Sequence, residues 1–299
     1  MSNKIFKTIT KKASNWLYKL FFLYVFKKSR YENILPLKKD LLIISVAFNN
    51  SETISIQYSH LVKNLKEDFD YLIADNSSKE NISDELKTFC EKNNLSYIRL
   101  PKNPLTNIRT SGSHSVALNW CYRNIIKKNR PKYFGLLDHD IFPIRDVEIV
   151  KNMKNGFWGV IRTKKEKWWY FWPGFSFFEY EKFKKYRFDF FPYHAGRDGL
   201  IFLDTGGSNY NSICKKNDRK SLSEAESVII DIPTKKPLII GRDSSQTFEI
   251  IDNKWMHIRQ ISWREESFNK MTEFDDIINI ANEIIEESAK NKPWENSNG

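Results

Sequence analysis

From Lys4 to Lys28 the apolar positions Ile5, Ile9, Ala13, Trp16, Leu20 and Leu23 recur every three or four residues, while Lys4, Lys7, Lys11, Lys12 and Lys19 fall mostly on the other side. This period predicts a basic amphipathic helix. Its apolar run Leu20 to Phe26 covers seven residues, against roughly 20 needed to cross a bilayer. Lys27-Lys28-Ser29-Arg30 follows where a cleaved leader would carry small residues. The segment is therefore expected to lie in a membrane interface or to pack on the rest of the protein.

After Pro36 the pattern changes. Leu41 to Ala47 is uninterrupted β-type apolar sequence, the mark of a parallel strand covered on both faces. A helix is expected from Glu52 to Leu65, a strand over Tyr71 to Ala74, a helix from Ser83 to Asn93, a strand over Ser96 to Leu100, a helix from about Ser113 to Lys128 and a strand over Tyr133 to Leu137. Strands alternating with helices predict an α/β protein with a doubly wound sheet. Beyond Glu148 short aromatic-rich strands and loops are expected, with Trp172-Pro173-Gly174 as an exposed loop, and a last amphipathic helix from Phe274 to Lys290. The domain reading is a segment 1–36, a catalytic domain 37–265 divided near residue 145 into nucleotide-binding and acceptor-binding halves, and a helix with polar tail over 266–299.

Charge narrows the choice of partner. The chain carries a net +11, but residues 1–40 hold ten Lys and Arg against Glu32 and Asp40. The basic surplus thus lies in the arm, which suits an anionic membrane surface better than a nucleic-acid groove, and no nucleic-acid partner is expected. Cys90, Cys121 and Cys214 form neither a CxxC pair nor a zinc-ligand set, so reduced thiols in a cytoplasmic protein are expected.

In a doubly wound sheet ligands bind beyond the carboxyl ends of the strands. Here those ends are Phe48 and Asn49, Asp75 to Ser78, the loop Pro101 to Ser113, and Asp138-His139-Asp140. Two carboxylates one residue apart at a strand end can converge on Mg2+ or Mn2+ and on a diphosphate held by it. A solvated turn is the alternative. Asp75 at a strand end suits a base edge or ribose hydroxyl, or caps the following helix. Gly112 and Ser113 open a helix whose N–H groups favour anions, and Arg109 lies nearby in sequence. No GxxxxGK[ST], no GxGxxG and no Gly-rich loop after the first strand occurs, which argues against a P-loop NTPase, a dinucleotide oxidoreductase and a sugar nucleotidyltransferase.

The succession Val46-Ala47-Phe48-Asn49-Asn50, Ala74-Asp75-Asn76-Ser77-Ser78, Ser111-Gly112-Ser113 with Ala117-Leu118-Asn119, and Leu137-Asp138-His139-Asp140 resembles GT-A fold glycosyltransferases, most closely those like family 2, with a DxD-type motif. The resemblance covers roughly residues 40–145. It implies a Rossmann-like mixed sheet and transfer of a sugar from a nucleotide donor, usually a UDP-sugar, with Mn2+ or Mg2+. Ala47, Phe48, Asn49, Asp75 and Asn76 would meet the nucleoside, Arg109 and Ser113 the donor sugar or phosphates, and Asp138 the donor and the metal. Asp140 would be the principal metal ligand, and His257 a further metal or phosphate ligand, with Arg259 and Arg264 screening the diphosphate. For an inverting transfer Asp204, before Gly206-Gly207, is the first choice of general base, with Asp198 or Glu179 as alternatives. The acceptor implied is a glycan or a lipid-linked precursor in cell-surface polysaccharide synthesis, made by a peripheral enzyme on the inner face of the cell membrane. A non-catalytic membrane adaptor or a nucleic-acid binder using the basic arm is the competing reading.

Overall fold

The computed structural model describes residues 13, 16–23, 35–103, 110–196, 199–238, 246–259 and 274–291. They fall into two compact units, one drawn from residues up to Ser55, from Glu67–His139 and from Glu148–Ala225, the other from Ile56–Lys66, Asp140–Val147 and residues from Glu226 onward. Arg109, Asp198, Arg264 and most of the segment 1–36 lie outside the described residues.

The first unit is built on β1 (Leu41–Ala47), β2 (Phe69–Asp75), β3 (Ser96–Arg99) and β4 (Tyr133–Asp138). The seven residues of β1 are buried throughout, because β2 and β4 flank it in parallel and both its faces are covered. β3 extends the sheet beside β2. On the other side β7 (Trp168–Glu179) pairs antiparallel with β4, and β6 (Phe157–Lys164) antiparallel with β7. With β10 (Ser223–Glu224) the order is β10-β6-β7-β4-β1-β2-β3. This mixed, doubly wound α/β sheet is the fold class expected from the sequence.

The helices α1 (Glu52–Asn64), α2 (Glu80–Lys92) and α3 (Thr110–Cys121) connect the parallel strands. α3 runs on through a π-helical stretch, Tyr122–Ile126, and ends at Asn129, where Arg130 turns left-handed. The step Trp172-Pro173-Gly174, expected as an exposed loop, lies inside β7. There the pairing with β6 jumps from Ile161↔Phe171 to Gly159↔Ser176. The extra residues bulge, and a bulge tolerates Pro173, which has no N–H to give to a ladder.

The aromatic residues of this half are mostly core. Phe134, Phe157, Phe171, Phe178, Phe183 and Phe188 pack at centroid distances between 4.3 and 6.3 Å. The helical stretch 16–21 joins this core through buried Tyr18, with Phe21 and Phe22 partly buried against it. The ring of Tyr18 covers Gly112 so closely that a Cβ there would stand 2.4 Å from it. Trp16, Leu17 and Leu23 stay exposed. No helix among the described residues is long and apolar enough to cross a membrane.

The second unit holds the antiparallel sheet β12-β11-β13-β14-β5, made of β5 (Ile141–Pro143), β11 (Ser227–Asp231), β12 (Lys236–Pro237), β13 (Thr247–Ile251) and β14 (Trp255–His257). Helix α4 (Phe274–Asn291) contributes Ile277, Ala281, Ile284 and Ile285 to a core with Phe142, Phe248, Ile250 and Met256. Gln57, His60 and Asn64, spaced along one helical stripe, hydrogen-bond the carbonyls of Ile141 and Pro143 and so anchor β5.

Candidate active site

At the carboxyl ends of β1, β2 and β3 the register places Ala47 opposite Asp75 and Asp75 opposite Arg99. Asp75 is fully buried. Its Oδ1 accepts the Ser77 N–H at 2.8 Å, and its Oδ2 accepts from the Tyr97 hydroxyl at 2.7 Å and from Arg99 Nη1 at 2.8 Å. The carboxylate therefore holds a guanidinium in place, and the Arg99 side chain is 31% exposed.

Asn49 occupies the left-handed region, φ 49°, which Asn tolerates better than most residues. Its Oδ1 accepts from the Ser78 and Lys79 N–H groups, its Nδ2 donates to Ser78 Oγ, and its own N–H donates to Ser77 Oγ. The Asn76 N–H donates to the Ala47 carbonyl, and Asn76 Nδ2 and Asn103 Nδ2 both donate to Ser113 Oγ. The structure thus brings Ala47, Phe48, Asn49, Asp75, Asn76 and Ser113 together, and it uses the side chains of Asn49, Asp75 and Ser113 to tie the loops to one another.

Asp138 closes β4 in register with Val46. Its Oδ1 lies 3.4 Å from His114 Nε2, and its Oδ2 rests against Gly174, where a Cβ would come within 2.5 Å of it. His139 is buried, with Nδ1 3.2 Å from the Val46 carbonyl oxygen. On β6 and β7 the Arg162 guanidinium stacks 4.4 Å from the Trp172 ring. Asp204 follows β9 (Ile201–Leu203) on a turn closed by the Gly207 N–H to its carbonyl at 2.7 Å. Its side chain is exposed. Gly206, at φ 90°, packs on the Phe171 carbonyl and Pro173. Burial, and then the charge of Asp204, push the Tyr170 phenol up to about 12.

In the second unit Asp140 and His257 come together. The pairing of β14 with β5 continues through the Ile258 N–H, which donates to the Asp140 carbonyl at 3.0 Å. His257 Nε2 then stands 3.5 Å from Asp140 Oδ1, and His257 Nδ1 is 2.9 Å from Glu249 Oε2. Burial alone would lower the His257 pKa, but Asp140 and Glu249 outweigh it and raise it to about 9. Arg259 donates to Thr247 Oγ1 at 3.0 Å.

Among the described residues no three His, Cys, Asp or Glu side chains are grouped so as to hold a metal by themselves. Mg2+ and Mn2+ sites that act on phosphates need less, since one or two protein ligands suffice when phosphate and water oxygens complete the octahedron. Asp140 and His257 offer one oxygen and one nitrogen, both acceptable to Mn2+.

No protein-family model and no curated protein matches the chain. Among solved structures it is similar to S. aureus TarS, at 19% identity and TM-score 0.25 over 38% of this chain and 18% of that one. It is similar to the mannosyltransferase PcManGT from Pyrobaculum calidifontis in complex with GDP-Man and Mn2+, at 12% identity and TM-score 0.33 over 58% and 55%. The third is the mannosyltransferase Ktr4p from S. cerevisiae, at 13% identity and TM-score 0.34 over 57% and 65%. The chain thus spans less than two thirds of each. Likenesses this partial say nothing of what the chain acts on.

Three residues of these clusters carry no sequence signal strong enough to single them out. Arg99 is a cation at a strand end, His114 sits one turn into a helix, and Glu249 lies in an apolar strand. For Arg99 the position opposite Asp75 in a parallel pair was the available clue.

Proposed function

We propose that the chain is a metal-dependent glycosyltransferase that moves a sugar from a nucleotide-sugar donor, a UDP-sugar first, onto a glycan or lipid-linked acceptor. The observation that carries this reading is the Asp140–His257 pair, an oxygen and a nitrogen 3.5 Å apart directly after the strand that ends in Asp138. A divalent ion bound there would neutralise charge developing on the leaving diphosphate.

The chain's own residues supply the remaining roles. Asp75 orients Arg99, whose planar N–H groups suit the carbonyl edge of a base, beside Ala47, Phe48 and the backbone of Asn76. Ser113 lies in the first turn of α3, whose N–H groups favour phosphate, and Arg109, shortly before it in sequence, is assigned the same partner. Asp138 is assigned to the donor and as an assisting metal ligand, and Arg259 to the charge of the diphosphate. Asp204, exposed on its turn, takes the proton from the acceptor hydroxyl as that oxygen bonds the anomeric carbon and the bond to the diphosphate breaks. A single displacement of this kind inverts the configuration.

The basic N-terminal arm holds the enzyme on an anionic membrane face in this reading, as a peripheral cytoplasmic protein of surface-polysaccharide synthesis. What supports it is the exposure of Trp16, Leu17 and Leu23 together with the concentration of Lys in residues 1–40.

Calorimetry with UDP, GDP and CMP, each with Mn2+ or with a chelator, tests the reading. One nucleotide should bind in the presence of metal, and its binding should weaken with Asp140→Ala. Binding of none, with or without metal, would leave the membrane adaptor as the reading to pursue.

A further inference from the structure

We infer that Glu249 is a positioning residue for the metal site, holding the His257 ring so that Nε2 is the nitrogen offered beside Asp140. This rests on the metal role proposed above for Asp140 and His257.

The backbone sets the relationship. β13 and β14 are antiparallel neighbours in which Glu249 pairs directly with His257, so both side chains stand on the same face of the sheet. All five residues of β13 are buried, and Phe248 and Ile250 on either side of Glu249 belong to the apolar core. A carboxylate with no exposed surface is costly in such a strand unless charged or hydrogen-bonding groups meet it. His257 Nδ1 meets it at 2.9 Å. A carboxylate can only accept, so Nδ1 carries a proton, and Nε2 is the nitrogen on the Asp140 side, 3.5 Å from Oδ1, where a bound metal would displace its proton.

That spacing is close to the requirement of a shared ion. Two neighbouring ligands of an octahedral centre with bonds of about 2.1 Å lie about 3.0 Å apart. Imidazole ligands commonly give their second N–H to a carboxylate, which orients the ring and raises its basicity, and removing such a partner weakens metal binding about 10–100-fold.

The test is Mn2+ binding to the full chain, followed by the loss of the free-ion EPR signal, alone and with UDP. It compares wild type with Glu249→Gln, Glu249→Met, His257→Ala and Asp140→Ala, with circular dichroism and thermal unfolding to select folded variants. Glu249→Met keeps volume without an acceptor, and Glu249→Gln keeps an acceptor without charge. Binding about 10–100-fold weaker in the Met variant, a smaller loss in the Gln variant, and loss of the 14N coupling of directly bound imidazole in the Met variant are expected. If the Met variant binds Mn2+ as tightly as wild type, with the coupling intact, while His257→Ala and Asp140→Ala do not, Glu249 is only a packing residue and the inference falls. If wild type takes up no Mn2+, or His257→Ala and Asp140→Ala bind it unchanged, the metal role itself falls and the inference with it.

Discussion

Asp138 Oδ2 lies so close to Gly174 that a methyl group at that position would stand 2.5 Å from the oxygen and 2.4 Å from the Trp172 ring. The glycine is needed because β7 bulges there, carrying its backbone against the end of β4. In Gly174→Ala both the carboxylate and the indole must give way. Misplacement of about 1 Å in a site can cost about 100-fold in rate, whereas overpacking costs about 1–3 kcal/mol of stability. The expected outcome is a folded protein with turnover reduced about 10–100-fold, measured as donor hydrolysis beside chemical denaturation. Unchanged turnover would mean that Asp138 is a bystander.

Asp75 and Arg99 should behave as one unit. Stripping the buried Asp75 carboxylate of its cation costs on the order of 3 kcal/mol, and if Asp75 goes the Ser77 N–H loses its acceptor and Tyr97 keeps the longer bond to the Ser83 carbonyl. Asp75→Ala is expected to destabilise more than Arg99→Ala. Arg99→Ala, the milder change to the fold, should still weaken nucleotide binding in calorimetry. Retained affinity in that variant would remove Arg99 from the nucleoside site.

Tyr18 and Gly112 form a second close pair, the ring lying where a Cβ would be. Gly112→Val should lose about 1–3 kcal/mol in denaturant unfolding. The double variant Tyr18→Ala with Gly112→Val should be no less stable than Tyr18→Ala alone, because the added methyl groups then meet no ring. Additive losses would contradict the packing.

The thiols give a pH-dependent prediction. Burial pushes Cys90 and Cys121 up to about 12, with carboxylates near Cys90 adding to it, and raises Cys214 as well. The reactive form is the thiolate, and a group raised to about 12 holds on the order of one part in 10⁴ of it at pH 8. Native protein should therefore show almost no reaction with a disulfide reagent at pH 8. Unfolded protein should show all three free cysteines. Rapid reaction of any thiol in the native state would contradict the burial.

Much of the first sheet was legible in the sequence, and the reason is physical. A strand buried on both faces must be apolar without interruption, and Leu41–Ala47 begins and ends where that run does. The helix expected from about Ser113 to Lys128 runs from Thr110 to Asn129, its end legible although a π-helical stretch interrupts the 3.6-residue period. β7 was hidden because Pro173 and Gly174 read as a loop, whereas a bulge between two pairing registers accommodates both.

The candidate site divides along the same line. Strand-end positions are visible from order and spacing, so Asp75, Asn76, Asp138 and Asp140 stood out. Whether a polar side chain there faces a ligand or is spent on neighbouring loops depends on partners far along the chain, as with Asn49 on Ser78 and Ser113 on Asn76. Glu249 was invisible because its meaning lies in the register of a hairpin with His257, which no local spacing encodes.

Metal-dependent sugar transfer is checked by hydrolysis of a panel of UDP-, GDP- and CMP-sugars with Mn2+ or Mg2+, wild type beside Asp140→Ala, since slow donor hydrolysis needs no acceptor. Metal-dependent turnover of one donor, abolished by Asp140→Ala, is expected. Turnover of none by wild type, or turnover that Asp140→Ala leaves untouched, would contradict metal-dependent transfer.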